Sequence, residues 1–215
     1  TEIYTLSLHD ALPIYAAEED VRSLAARLER LAQAVQSLVG ARDVDTVTAV
    51  ACAAARELTG ADGATVVLRE GDCCSYVDED AIAPLWKSRR VPMSDCISGW
   101  VVRSGKPAII PNVREDDRLH GDMYHPTFVK ALAMVPMGSH EAVGAIGTYW
   151  GRRHEATPDD VRILRALADS TAIALENVRT LEGLRRSEDR YRTLVESLED
   201  IVFSLDEQRR FLFVS

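Results

Sequence analysis

ALAMVPMGSHEAVGAIGTYW, residues 131–150, is the stretch that decides the fold. It reads as two strands, Ala131–Met137 and Ala142–Trp150, joined by the polar connection Gly138–Glu141. That is the pattern of an antiparallel hairpin. Gly144, Gly147 and Gly151 fall inside or just after the second strand rather than opening a helix, so neither a dinucleotide-binding turn nor a phosphate loop is present. Their expected role is close approach of backbone, or of an overlying roof, to the sheet.

Working outward, Thr157-Pro158-Asp159-Asp160 is a helix start, with Thr as N-cap, Pro at the first helical position and acids in the first turn. The helix it opens carries Leu164, Leu167, Thr171, Ala174, Val178 and Leu181 at alternating three- and four-residue spacing. The seam blurs at Gly183 and Arg185. A new amphipathic segment is expected near Ser187, then two strands, Ile201–Leu205 and Arg210–Val214, around the turn Asp206-Glu207-Gln208.

Toward the N-terminus, Pro107–Ile110 reads as a short strand, Ile97–Arg103 as a short helix and Pro84–Met93 as irregular. Residues 112–125 form a long polar loop, of a length that is usually functional or mobile. Ala64–Leu68 and Cys73–Val77 pair as strands around Gly71-Asp72. Ahead of them lie a helix from Val44 to Leu58 and one from Ala16 to Gly40. The first helix repeats Val21, Leu24, Leu28, Leu31, Val35 and Leu38 as a heptad seam. Helices at both ends of a hairpin-built sheet imply an α+β domain with the long terminal helices on one face.

The 215 residues carry a formal net charge of −9, with 27% charged and 47% hydrophobic residues. This is globular composition, and a chain so acidic, with no clustered Lys/Arg stripe, is not expected to bind nucleic acid. No apolar run is long enough to span a membrane, so no membrane contact is expected. Cys52, Cys73, Cys74 and Cys96 have no C-x-x-C spacing, which suggests a reducing, cytoplasmic setting. Thr1–Ile14 matches the translation of a common short-read sequencing adapter, and residues 1–14 are expected to be artefactual and to contribute nothing to folding.

Five phrases in order resemble the GAF family: Cys96–Trp100, Tyr124–Lys130, Ala131–Pro136, Val143–Gly147 and Leu167–Asn177. The likeness is greatest to GAF domains of bacterial sensor histidine kinases and related multi-domain sensors. Residues 187–215, through Ser187–Glu196 and Ile201–Asp206, resemble the beginning of a PAS domain cut short. The resemblance implies an antiparallel sheet of five or six strands with a pocket on one face, roofed here by residues 84–103 and 112–128. The implied organisation is a coiled-coil helix over 15–40, a GAF domain over 41–180, a helical linker over 181–190 and a truncated PAS start over 191–215.

Trp86, Trp100, Tyr124 and Phe128 are concentrated in the roof segments, where large aromatics need something to pack on. With Cys96 and Met134 they are the candidate ligand-pocket residues. A bilin link through Cys96 would place His directly after it, and Ile97 stands there. Cys73 and Cys74 point to opposite faces of a strand and cannot easily chelate one metal. His120 and His125, with Asp116, Asp117 and Asp122, read as a solvated loop, and His140-Glu141 and His154-Glu155 do not extend to a zinc-protease motif. No catalytic residue, metal site or cofactor is evident, and a small ligand stays open. Leu24, Leu28, Leu31, Val35, Leu164, Leu167, Val178 and Leu181 are the expected seam of a homodimer, or alternatively pack on their own sheet. The expected function is a sensory input module relaying to the PAS segment and a further output domain. A ligand-free dimerisation spacer, or a piece of an enzyme such as a histidine kinase or diguanylate cyclase, stands as the alternative.

Overall fold

The computed structural model describes residues 8–118, 123–138, 141–196, 203–206, 208 and 210–214. The chain divides into two compact units, residues 1–175 and 176–215.

The first unit is an α+β domain around one six-stranded antiparallel sheet. Its elements run α1 (Leu8–Gly40), α2 (Val44–Thr59), β1 (Gly63–Glu70), β2 (Cys73–Ala81), β3 (Arg90–Pro92), α3 (Ile97–Ser104), β4 (Ala108–Ile110), β5 (Ala131–Met137), β6 (Gly144–Trp150) and the start of α4 (Pro158–Glu196). The order across the sheet is β3-β2-β1-β6-β5-β4. The hairpin 131–150 forms β5 and β6 with Met134 opposite Gly147 and Leu132 opposite Tyr149. Every residue of both strands is buried, so this pair is central and covered on two sides.

The strand period of two splits those residues between faces. Leu132, Met134 and Tyr149 join Val67, Cys74 and Tyr76 in one cluster with α3 and the roof segments. Ala131, Ala133 and Trp150 face the other way, with Ala61, Ala156 and Val161. Helix α2 packs on β1, β2 and β6, while α1 lies on α2 rather than on the sheet. Asp43 caps α2 by accepting the Thr46 N–H at 2.7 Å, and Gly60 closes it in the left-handed conformation.

The structure corrects several sequence expectations. Strand β2 continues through Asp78-Glu79-Asp80, beyond the expected end at Val77. A bulge opposite Val66 and Val67 leaves Val77 unpaired, and the extra residue turns the following side chains over. Asp78 then reaches Thr48, Asp80 reaches Arg56 on α2, and Glu79 turns to the backbone of 85–87. Part of the segment expected to be irregular is strand β3, paired to β2 through Cys73–Ser75. Helix α1 begins at Leu8, ahead of Ala16 and inside the segment read as adapter-derived. The sequence readings at His120, Asp122, His140, Ile201, Val202 and Glu207 lie outside the described residues.

Helix α4 does not break at Gly183 or Arg185 but runs unbroken to Glu196. Glycine in a helix costs about 1 kcal/mol, and here a Glu182–Arg186 ion pair spans the weak turn and a Glu188–Arg192 pair follows it. Its start is a reciprocal capping box. Asp160 accepts from the Thr157 N–H and hydroxyl, both at 2.8 Å, and the Thr157 hydroxyl oxygen accepts the Asp160 N–H at 3.1 Å. Beyond α4 the second unit holds the hairpin β7 (Phe203–Leu205) and β8 (Phe211–Val214). Asp206 organises its turn by accepting the Gln208 and Arg210 N–H groups, each at 2.9 Å.

The expected dimer seam divides. Leu164, Leu167 and Val178 are buried within the single chain, and Leu31 and Val35 are half-buried. Leu24, Leu28 and Leu181 stay exposed, at 40%, 51% and 42%.

Candidate functional site

The six candidate pocket residues converge on one side of the sheet. Trp86, Cys96, Tyr124 and Met134 are buried in the cluster beneath the roof, and Trp100 and Phe128 pack against it. Trp86 is the centre. Its ring meets Tyr124 and Tyr149 edge-on, with centroids 5.2 Å apart in both cases, and Tyr76 at 5.6 Å. These separations and tilts are those at which aromatic quadrupoles attract.

Glu79 builds this arrangement. Its carboxylate accepts three consecutive backbone N–H groups, from Leu85 at 3.0 Å, Trp86 at 2.7 Å and Lys87 at 2.8 Å. Ser88, in the left-handed region at φ 69°, then turns the chain back so that its N–H donates to the Tyr76 carbonyl at 2.8 Å. The indole N–H of Trp86 donates to the Met123 carbonyl at 3.2 Å, tying the two roof segments together. Glu79 lay unseen in the sequence because a charged residue after an apolar strand reads as a turn. Tyr76 and Tyr149 were also missed, although Tyr76 stands two residues from Cys74 and Tyr149 four residues from Ala145, both in the same cluster.

Small residues make room for these rings. A Cβ on Gly147 would come 2.5 Å from the Tyr149 hydroxyl and 2.7 Å from the Met134 methyl. On Gly99, in α3, it would come 2.0 Å from the Met93 carbonyl oxygen, so α3 is seated directly on the preceding turn.

The hydroxyls are handled unequally. Tyr76 and Ser98 share a hydrogen bond at 2.9 Å, as do Tyr149 and Thr65. The Tyr124 hydroxyl, equally buried, has no partner among the described residues. Burial pushes all three tyrosines above their usual pKa, so they stay neutral and offer O–H donors. Trp100 is displaced toward the rim, where the Arg118 guanidinium lies 4.7 Å over its ring while making a fork to Asp116. Beside it a depression of about 710 Å³ is lined by Arg114, Asp116, His125, Lys130, Tyr124 and Phe128 among others. Among the described residues no group of His, Cys, Asp and Glu could hold a metal ion, and no helix is long and apolar enough to cross a membrane.

The family model of the GAF domain matches residues 41–176. The chain belongs to the GAF domain family. Such domains are typically sensory modules that bind small ligands in signalling proteins, and are generally not catalytic. Solved structures with this fold include the GAF domain of a phosphoenolpyruvate-protein phosphotransferase from Coxiella burnetii, 13% identical, with TM-score 0.66 over 74% of this chain and 98% of that one. The free methionine-R-sulfoxide reductase from Neisseria meningitidis, in complex with its substrate, is 18% identical, with TM-score 0.63 over 74% and 93%. The GAF-B domain of DevS from Mycobacterium smegmatis is 19% identical, with TM-score 0.56 over 66% and 99%. At these identities the likeness is one of fold. No curated protein matches the chain significantly.

Proposed function

We propose that this chain is the sensory input module of a bacterial, cytoplasmic signalling protein. A small ligand with a hydrogen-bond acceptor lodges against Trp86 and Tyr124, and helices α1 and α4 relay the change to the segment beyond. The observation that carries this reading is the Tyr124 hydroxyl, buried and unpartnered among the described residues beside a ring cluster. An unsatisfied buried polar group costs about 1–3 kcal/mol, and an acceptor on a ligand would remove that cost. The test is a thermal-shift screen of small polar-aromatic and heterocyclic compounds. A specific binder at a hundred times its Kd adds about 2.7 kcal/mol, and that gain shrinks in Tyr124→Phe. A binder whose gain is the same in Tyr124→Phe overturns the placement, and a screen without binders favours the ligand-free spacer.

The module works as a parallel homodimer in this reading, which delivers two C-termini to one end of the assembly for a PAS segment and output domain such as that of a histidine kinase. The exposure of Val21, Leu24 and Leu28 on one stripe of α1 supports it. Leu28→Asp is expected to convert dimer to monomer in sedimentation, whereas Ala32→Asp, at an exposed position off the seam, leaves the dimer intact. Arg27 is no neutral control, since its guanidinium bonds Asp160 at 2.5 Å and the Leu58 carbonyl at 3.0 Å. A monomeric parent chain overturns the dimer.

A further inference from the structure

Arg114 and Lys130 line the depression of about 710 Å³ beside Tyr124 and Phe128, and both side chains are exposed. Paired backbone puts them side by side. The Val113 N–H donates to the Lys130 carbonyl at 2.9 Å, which closes the base of the loop. The Lys130 N–H donates to the Trp150 carbonyl on β6 at 2.8 Å, which ties that base to the sheet. Asn112 then fixes the turn that carries Arg114. Its side-chain oxygen accepts the Arg114 N–H at 3.2 Å, and its side-chain nitrogen donates to the Glu115 carboxylate at 2.8 Å.

The neighbouring acids are committed elsewhere. Glu115 also pairs with the Arg153 guanidinium at 3.7 Å. Asp116 accepts a fork from the Arg118 guanidinium, at 2.8 and 2.6 Å, and the Arg118 N–H at 3.0 Å. Arg118 is in turn held 4.7 Å over the Trp100 ring. Neither the Arg114 guanidinium nor the Lys130 ammonium has a hydrogen bond or ion pair among the described residues. In a chain of net charge −9, this is a local reversal of sign. Asp117, exposed, is the lining carboxylate that holds no cation among the described residues. Two cations against one such carboxylate leave a single positive charge uncompensated. The other walls are Phe128, Tyr124, Val113 and Val129, and the volume is that of a small-molecule site.

We propose that this depression binds a small aryl monocarboxylate, its carboxylate held by Arg114 and Lys130 and its ring against Phe128 and Tyr124. The guanidinium of Arg presents two parallel N–H donors that match a carboxylate, and Lys adds a compact charge. Charge-assisted hydrogen bonds of this kind are about twice as strong as neutral ones. A phosphate ester shares the anionic chemistry but brings a charge of about −1.5 to −2 at neutral pH, more than the one charge left uncompensated. The inference rests on the reading that a ligand lodges against Tyr124, and it names what the outer end of that ligand carries.

The experiment is calorimetric titration of the full chain at neutral pH and low salt with 4-hydroxybenzoate, its neutral isostere 4-hydroxybenzamide, and 4-hydroxyphenyl phosphate. The carboxylate is expected to bind about tenfold more tightly than the amide. Arg114→Gln and Lys130→Gln, both at exposed positions, should each weaken the carboxylate about fivefold and leave the amide unchanged. Asp117→Asn should tighten the carboxylate by about threefold. Arg162→Gln, which removes a cation from α4, should leave its Kd unchanged, so that the effect is local rather than one of net charge. A carboxylate no tighter than the amide, a phosphate that binds tightest, an equal loss in Arg162→Gln, or no saturable binding overturns the site. Tyr124→Phe separates this inference from the reading it rests on. Weakening confined to Tyr124→Phe overturns the anion site and keeps the hydroxyl contact, whereas weakening confined to Arg114→Gln and Lys130→Gln supports the anion site and removes the ligand from the hydroxyl.

Discussion

The two faces of the central sheet are built from the same strands and are chemically unlike. Beneath the roof the strands present Tyr76, Tyr149, Thr65, Met134 and Cys74, and an irregular backbone folds Trp86 and Tyr124 down onto them. On the other face the pair Ala131 and Ala133 lets the start of α4 come close, with Trp150 at the margin. Alanine against helix needs only shape. A face with three tyrosines, one of them without a partner among the described residues, carries hydrogen-bonding capacity that those residues do not use. The difference teaches where to look for a signal. The helical face is built on small residues, and its Trp150, whose indole nitrogen has no partner among the described residues, lies against Ala131 and Ala133, whereas the roofed face gathers three tyrosine hydroxyls around Trp86.

The most severe way to break this contrast is to remove the centre of the roofed face. Trp86→Ala should cost about 3–5 kcal/mol, read as a melting temperature lower by roughly 2–4 °C per kcal/mol. The subtler pair is Trp86→Phe against Trp150→Phe. The Trp86 N–H serves the Met123 carbonyl, whereas the Trp150 indole nitrogen has no partner among the described residues. The first substitution should therefore be the more costly, by about 1 kcal/mol. Equal losses would show that the Met123 bond contributes nothing to the roof.

On the helical face the expected failure is crowding. Ala133→Leu forces three extra carbons between the sheet and the start of α4 and should cost about 1–3 kcal/mol. Met134→Leu, one residue along and on the roofed face, conserves volume and should cost less than about 1.5 kcal/mol. Urea midpoints of the two variants measure it, and a reversed order would mean that the two faces have been assigned the wrong way round.

What the sequence made legible follows from how local each signal is. The hairpin 131–150 and the helix start at Thr157 are written in adjacent residues, and the structure has both. The second half of β2 was not legible. Asp78, Glu79 and Asp80 look like a solvated turn until the bulge at Val77 gives each a different partner. The same holds in the candidate site. Aromatics on irregular segments flagged Trp86, Tyr124 and Phe128, but Glu79, which fixes Trp86 through three N–H bonds, acts across a tertiary contact that no spacing announces. Nor does heptad spacing say which side a helix buries: Leu164 and Leu167 share a pattern with Leu24 and Leu28, yet only the latter two are exposed.

Acid titration tests the helical face through one carboxylate. Burial opposes ionisation of Asp160, but the Thr157 N–H and hydroxyl and the Arg27 guanidinium outweigh it and hold its pKa below the usual carboxylate value. The unfolded chain therefore takes up this proton first as pH falls. The stability contributed is present in full above the ordinary Asp pKa of about 3.9 and is lost as pH drops through the lower folded value. Asp160→Asn should lower stability at neutral pH by about 1–2 kcal/mol, the size of a lost cap, and flatten the acid limb of the urea-midpoint profile. An unchanged acid limb would shift that role to other carboxylates.

The smallest expected effect is the one that sharpens the comparison most. Tyr124→Phe deletes a single oxygen from the roofed face while keeping the ring against Trp86. If the hydroxyl is unsatisfied in the isolated domain, its loss should leave stability unchanged or raise it by up to about 1 kcal/mol, because desolvating a hydroxyl with no partner is unfavourable. The matched substitutions Tyr76→Phe and Tyr149→Phe each strand a partner, Ser98 or Thr65, and should lose about 1 kcal/mol. Three single-oxygen deletions within one cluster thus separate a structural hydroxyl from a spare one. Denaturant melts of the ligand-free chain decide it. A Tyr124→Phe loss as large as the other two would mean that this hydroxyl already has a partner, and would leave the roofed face without its vacant hydrogen-bonding position.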